Sequence, residues 1–306
     1  MKCQASLTTT IIVPVVAEPA LLKLVVAEFT RQIILKIYQM NIILAEIKKS
    51  YKILLAYPVE IAFWIFSPLL WAVPLVFQGK ALIGGLSSEK FGEIAGTPDF
   101  IPYVLIGAII STYMASSVWS MGFAMRDETY YGTLEHILSA PVKPVYILLG
   151  KAIFNSLLAT TYVIIQLGIC IIIFGLKVTL YKIVPIVFFL ILLIAGLYGI
   201  GFAAAGLTLL VKEAHGLLHL FEYILFLFSP IRYPVEINPI TRTISIFIPL
   251  TYALIALRGL LLNIKFDFWK NSLILIGIDL IIIPIGLYIF NWVDRHTRQK
   301  GTLAEY

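Results

Sequence analysis

Charged residues are scarce in this chain, and their scarcity excludes a water-soluble fold. Only 13% of the 306 residues are charged, whereas soluble domains carry about 25%. A hydrophobic content of 60% and a mean hydropathy of +0.96 are typical of a protein that lies in a membrane. The chain also lacks a polar stretch long enough to form a separate catalytic domain.

Motifs for catalysis and cofactor binding are lacking as well. No Gly-x4-Gly-Lys-Ser/Thr phosphate loop is present, because Gly150-Lys151 is followed by Ala152 and no glycine stands five residues earlier. The two cysteines, Cys3 and Cys170, provide neither a disulfide framework nor a zinc cluster. We therefore expect the chain itself to bind no ATP, no metal and no other cofactor, and to have no nucleic-acid partner.

Long apolar runs are what the chain has in abundance. A membrane helix needs about 20 predominantly apolar residues to cross the hydrocarbon core. Windows with few or no charges occur at residues 61–77, 101–125, 152–176, 183–211, 217–231 and 272–293. These windows predict an all-α membrane protein with six transmembrane helices, of which the fifth is the shortest.

A seventh apolar window, residues 244–257, is too short and too interrupted for a simple span. It is flanked by Arg242 and Arg258, it contains Pro249, and three further prolines precede it. Non-helical backbone at membrane depth is tolerated only inside protein or beside water. We predict an external re-entrant helical segment between helices five and six.

The stretch before the first span has the pattern of an amphipathic helix. Its apolar residues share one helical face and are Ile33, Ile37, Met40, Leu44, Ile47, Tyr51 and Leu54. Most of its cations lie around the rest of the surface, as in helices that lie on anionic membranes. A solvated start of a long helix is the alternative.

Lysine and arginine indicate which side of the membrane the termini occupy. With six spans, 14 of the 23 Lys and Arg residues fall on the same side as both termini, and cytoplasmic segments are enriched in these residues. We expect a multi-pass cell-membrane protein with both termini in the cytoplasm. The predicted parts are an extension (1–28), an amphipathic cytoplasmic interfacial helix (29–57), a six-helix domain (58–293) and a basic cytoplasmic tail (294–306).

Hydroxyl side chains mark one face of the second predicted helix. Thr112, Ser116 and Ser120 recur every four residues and so lie above one another. They are candidate pathway-lining residues, although small hydroxyls also occur at ordinary helix contacts.

Ionisable residues occur inside two of the apolar windows. His215, His219 and Glu222 share one face of the fifth predicted helix. As metal ligands they leave an incomplete shell, so a polar face toward a cavity or a subunit is preferred. Asp279 in the last span should face protein or water rather than lipid, in a structural or a transport role.

Several segments together resemble the ABC-2 type transporter permeases. They are Gly132-Thr-Leu-Glu135, Leu138-Ser-Ala-Pro-Val142, Leu149-Gly-Lys151, the proline-rich segment from Phe228 to Pro239, Ile248-Pro-Leu-Thr-Tyr252 and Leu257-Arg258. Order and topology match over roughly residues 30–295. One departure is Pro230-Ile231, where relatives commonly carry a glycine after the serine.

The resemblance implies the permease subunit of an ATP-binding cassette exporter. Two such subunits would pair as a homodimer or heterodimer in the bilayer, and separate ABC ATPase subunits would hold ATP and magnesium. The loop implied to couple to the ATPase contains Arg126, Gly132, Thr133, Leu134, Glu135, Leu138 and Pro141. Spans two and five would border the substrate path.

Two other classes of function stay open at this point. An ion-coupled secondary transporter would use the intramembrane acids Glu222 or Asp279. A membrane enzyme or scaffold is disfavoured, because the sequence offers no nucleophile and base pair and no adequate metal shell.

Overall fold

The described part of the chain is all-helical. The computed structural model describes residues 39–83, 89–133, 136, 143–174, 179–211 and 214–300, and these contain helices but no strand. The chain divides into two units, Met1–Ile42 and Ile43–Tyr306. The predicted extension at residues 1–28 and the last six residues of the tail lie outside the described residues.

We number the helices in chain order. Residues 39–56 form α1, and α2 is Pro58–Ile83. The helices that follow are α3 (Glu89–Ala95), α4 (Phe100–Gly122), α5 (Ala124–Tyr130), α6 (Pro144–Phe174), α7 (Ile183–Thr208), α8 (Ala214–Phe228), α9 (Pro239–Ser245), α10 (Pro249–Leu262) and α11 (Phe268–Lys300).

Four of the described helices are long and apolar enough to cross a membrane. They are α4, α6, α7 and α11, and they carry the second, third, fourth and sixth predicted spans. The first predicted span lies in α2, which is helical over 26 residues. The fifth lies in α8, which has only 15 residues and is shorter than the roughly 20 that a straight crossing needs.

The proline-rich region after α8 folds into a sharply bent pair of helices. α9 and α10 meet at 97°. Pro239 and Pro249 lie in the first turns of these helices, where a missing N–H costs no hydrogen bond. The Asn238 side chain also caps α9 by accepting a hydrogen bond of 2.9 Å from the Ile240 N–H. The predicted re-entrant segment falls on this pair, whose bend is that of a re-entrant loop or of a broken span.

Glycines bring α7 and α11 into direct backbone contact. A Cβ atom at Gly286 would overlap the Gly199 carbonyl, and one at Gly199 would lie 2.8 Å from the carbonyl carbon of Ile282. Small residues permit such approach between membrane helices, where packing replaces the hydrophobic effect. The helices α7 and α11 are therefore tightly packed along this contact.

Part of the predicted apolar face of α1 is exposed, and part of its polar side faces the protein. Leu44 and Tyr51 are 55% and 54% exposed, Ile47 and Leu54 are half-buried, and Glu46 is buried. Ile33 and Ile37 of the same face lie outside the described residues. A helix on a membrane surface would have this distribution, with its apolar face toward lipid. The position of α1 at the membrane surface stays a prediction.

The glycine contact predicts a position-specific loss of stability. We expect Gly286→Val to lower the thermal midpoint of the purified protein, because overpacking costs about 1–3 kcal/mol. Gly277→Val is the matched control in the same helix, since a Cβ at Gly277 meets no atom within 4 Å. Equal midpoints for the two variants would contradict the packing described here.

Candidate functional site

A buried cluster of charged residues lies at the start of the segment that connects α4 to α6, here called the connector. Phe123 separates α4 from α5, and α5 carries Glu128, which is 0% exposed. Residues from three other segments surround this carboxylate. The Glu128 cluster consists of Glu46 and Lys49 from α1, Asp127 and Glu128 from α5, Thr133 from the following turn and Lys151 from α6.

Both carboxylate oxygens of Glu128 are engaged. Lys49 Nζ donates to Oε1, and the Thr133 hydroxyl donates to Oε2 at 2.5 Å. Lys151 Nζ lies 3.5 Å from Oε1 and also donates to the Ala124 carbonyl at 2.9 Å. The cluster therefore ties α1, α5, the turn at Thr133 and α6 together through one buried charge.

The pKa values of the two glutamates of the cluster are shifted in opposite directions. Burial raises the pKa of Glu128, but hydrogen bonds from Lys49 and Thr133 and the charge of Lys151 outweigh burial, so the net pKa is lowered. Glu128 thus stabilises the fold at neutral pH, and this contribution is lost as acid protonates it. Burial raises the pKa of Glu46 in spite of Lys49 and Lys151.

Only part of the predicted coupling loop lies among the described residues. Arg126 donates to the Val211 carbonyl at 2.9 Å, which connects α5 to the end of α7. Gly132 has a φ of +67°, a left-handed turn that favours glycine. Thr133 belongs to the Glu128 cluster. Leu134, Glu135, Leu138 and Pro141 lie outside the described residues.

Two cavities open beside α4, and the predicted pathway residues line them. The larger, of about 390 Å³, lies between α2, α4 and α8 and is lined by Thr112, Trp119, His219 and Glu222 among others. The smaller, of about 240 Å³, lies between α2, α4 and α6. Thr112 lines both cavities, and Ser116 and Ser120 line the smaller one.

Trp119 connects α4 to the polar face of α8. Its indole Nε1 donates to Glu222 Oε2 at 2.9 Å, and its ring meets the His219 ring edge-on at 4.6 Å between centroids. His219 Nδ1 lies 3.8 Å from the same carboxylate oxygen. The His215 ring lies closer to Phe123, with centroids 4.5 Å apart, than to Trp119, at 6.1 Å. Among the described residues, no three His, Cys, Asp or Glu side chains converge as metal ligands.

Asp279 faces protein, as its position in the last span predicts. It is 4% exposed, and neither carboxylate oxygen has a hydrogen-bond partner within the described ranges. A Cβ at Gly196 of α7 would overlap its Oδ1 and would lie 2.8 Å from Pro249 Cβ. Asp279 is separate from both cavities, since it lines neither of them.

Arg258 has a structural role that its position beside an apolar window does not indicate. It is 3% exposed, and its guanidinium donates to three backbone carbonyls. They belong to Tyr103 at 2.9 and 3.1 Å, to Ile231 at 2.8 Å and to Pro230. The guanidinium also lies 3.5 Å from the Tyr103 ring centroid. Arg258 therefore fastens α10 to the start of α4 and to the turn after α8.

A match to a known protein family identifies the family of this membrane protein. Residues 43–262 match the family model described as ABC-2 type transporter. The chain belongs to the ABC-2 type transporter family. Comparison with curated protein sequences gives no match. The resemblance of the loop and the proline-rich segment to ABC-2 permeases is thereby confirmed.

The ABC-2 match includes every residue that builds the cluster, the cavities and the Arg258 contacts. It begins in α1, ahead of Lys49, and ends with α10 at residue 262. α11 lies beyond the match but packs along α7. The chain is accordingly a multi-pass ABC-2 membrane domain, a type of domain that typically has no catalytic activity of its own.

The Glu128 cluster predicts unequal effects for two neighbouring acids. We expect Glu128→Gln to destabilise the protein by about 3 kcal/mol, because it breaks the ion pairs of a fully buried carboxylate with Lys49 and Lys151. Asp127→Asn is the control, since the Asp127 side chain is 42% exposed and contacts the same Lys151, and exposed pairs contribute about 1 kcal/mol or less. Thermal unfolding in detergent compares the two, and an equal loss would count against a buried network.

The Arg258 contacts predict that a positive charge without the guanidinium geometry does not preserve the stability of the protein. We expect Arg258→Lys to lower the thermal midpoint, because an ammonium group cannot reach carbonyls on two segments as the planar fork does. An unmade hydrogen bond to a charged group costs about 1.5–3 kcal/mol. Arg242→Lys, at an exposed position of α9, should change little. Midpoints that fall by the same amount would refute this role.

Proposed function

We propose that this ABC-2 domain is the permease subunit of an ATP-driven exporter. In this proposal α2, α4, α6, α7, α8 and α11 are the six spans, and α9 with α10 is an external re-entrant pair. Both termini and the Glu128 cluster lie on the cytoplasmic side. The observation that carries the proposal is the cluster itself, because it joins α1, α5 and the turn at Thr133 to the proposed span α6 of an ABC-2 domain.

ATP hydrolysis takes place on a partner chain in this proposal. Two permease subunits pair, as a homodimer or heterodimer, and two ABC ATPase subunits dock on the cytoplasmic side with ATP and magnesium. The connector from Arg126 to Pro141 and the exposed parts of α1 form the contact. Binding of ATP can shift the permease only if the ATPase dimer interacts differently with its two access states.

The Glu128 cluster gives that interaction a physical route. In this proposal a movement of the connector displaces Thr133 and α5. Lys49 and Lys151 then move with Glu128, because the buried carboxylate has no access to water that could replace their ammonium groups. α5 follows α4 across a one-residue break at Phe123, and α4 lines both cavities. The proposed path for the substrate runs along these cavities, past Thr112, Trp119 and Glu222.

A second candidate function rests on Asp279. A buried carboxyl group with no hydrogen-bond partner in the described ranges is a feature of proton and ion pathways in membranes. An ion-coupled transporter would move solute under an ion gradient without an ATPase, and Asp279→Asn would abolish this transport. The ABC-2 family match favours the ATP-driven alternative.

Affinity purification from native membranes tests the proposed function. We expect the tagged chain to co-purify with an ABC ATPase, and Glu135→Lys to weaken that association and the coupled ATP turnover by about tenfold or more, because reversing an interface charge costs several kcal/mol. Glu236→Lys is the matched reversal at an exposed position before α9, at the opposite end of the proposed membrane domain, and should have no effect.

Two results would overturn the ATP-driven proposal. One is recovery of a stable chain without any ATPase, together with solute transport under an ion gradient. The other is unchanged ATPase association and coupling in Glu135→Lys, with a normally assembled protein.

A further inference from the structure

Arg232 has a different environment from Arg258. Arg258 is buried among carbonyls, whereas Arg232 lines the larger cavity. Its guanidinium stacks over Phe226 at 4.1 Å from the ring centroid. The Nε atom is shielded from solvent and has no hydrogen-bond partner within the described part of the chain. A shielded guanidinium donor without an acceptor is costly unless a ligand supplies the acceptor.

The charges of the cavity are separated along its length. Arg232 follows Ile231, whose carbonyl a Cβ at Gly107 would overlap. At the other end, Glu222 accepts a hydrogen bond from Trp119. Gly107 and Trp119 are about 18 Å apart along α4, at 1.5 Å for each residue. An anion is therefore attracted to the Arg232 end and repelled from the Glu222 end.

The wall between these two ends is mostly apolar and aromatic. Phe63 and Trp64 of α2, Ala108 and Met114 of α4 and Phe226 of α8 contribute to it. A volume of about 390 Å³ extended over about 18 Å makes a narrow space. Such a space suits an unbranched apolar chain better than a bulky or sugar-like molecule, which would need many polar partners.

We propose that this cavity binds a single-chain amphipathic anion. The anionic group, a phosphate or carboxylate, accepts hydrogen bonds from Arg232, and the apolar chain runs along α4 toward Trp119. The proposal rests on the proposed permease function, because it names the substrate class of that permease. Binding at the cavity itself requires no ATPase and is measured separately.

Tryptophan quenching by a brominated amphiphile tests the proposal. The full-length chain, with Trp119 as its single tryptophan and phenylalanine at the other four positions so that residue 64 of the cavity wall stays aromatic, is placed in nanodiscs of neutral lipid and titrated with ω-bromohexadecyl phosphate. ω-Bromohexadecanol and the ω-bromohexadecyl trimethylammonium ion are the uncharged and cationic controls. We expect the phosphate to quench Trp119 with an affinity about ten- to hundredfold above that of either control, as for a hydrogen bond to a charged group.

Variants at Arg232 assign the preference to one side chain. Arg232→Gln should remove the preference for the phosphate, Arg232→Lys should restore part of it, and Arg242→Gln should leave it unchanged because Arg242 is exposed outside the cavity. A wild-type preference in Arg232→Gln, or equal quenching by all three amphiphiles, would overturn the proposal. Displacement of the amphiphile by millimolar inorganic phosphate would also overturn it, because the site would then bind a small anion.

The two proposals fail independently of each other. If the chain does not associate with an ATPase but still prefers the phosphate amphiphile, the exporter proposal is wrong and the binding proposal stands. If the chain couples to an ATPase but its cavity shows no preference for the phosphate headgroup, the binding proposal is wrong and the exporter proposal stands.

Discussion

The buried carboxylate of Glu128 is the constraint on which the packing of α1, α5 and α6 against one another depends. A buried ionised carboxylate is tolerated only when hydrogen-bond donors or cations lie against both of its oxygens. Lys49, Thr133 and Lys151 provide that compensation from three separate segments. A shift of any one of these segments alone removes one partner of the buried carboxylate, so their positions depend on one another.

A second fixed point lies at the other end of α4. Arg258 holds the Tyr103 carbonyl and the turn at Pro230 and Ile231 on one guanidinium. α4 therefore runs between an ionic anchor and a hydrogen-bonded anchor, and both cavities open beside it. In the proposed mechanism, a rearrangement at the ionic anchor reaches the cavities through a helix whose far end is held. Polar contacts at both ends and an apolar wall between them are consistent with a path for an amphipathic molecule.

Sequence pattern predicted what depends on local composition. The apolar windows, the shared face of Thr112, Ser116 and Ser120, and the bent proline-rich pair follow from hydropathy, helical period and proline chemistry, which act along the chain. The Glu128 cluster and the role of Arg258 could not be predicted in this way. Their partners lie far away in sequence, and a charge beside an apolar window has the same pattern whether it meets water or buried carbonyls.

The most direct test of the account is whether the ionic cluster controls access to the cavity. Ser67 lines the larger cavity, so a Ser67→Cys reporter, in a chain with Cys3 and Cys170 replaced by alanine, reacts with a water-soluble methanethiosulfonate at a rate set by access. We expect ATP to change this rate in the assembled transporter, and Glu128→Gln to abolish the change while ATP still binds. The same nucleotide-dependent change in both proteins would contradict transmission through the cluster.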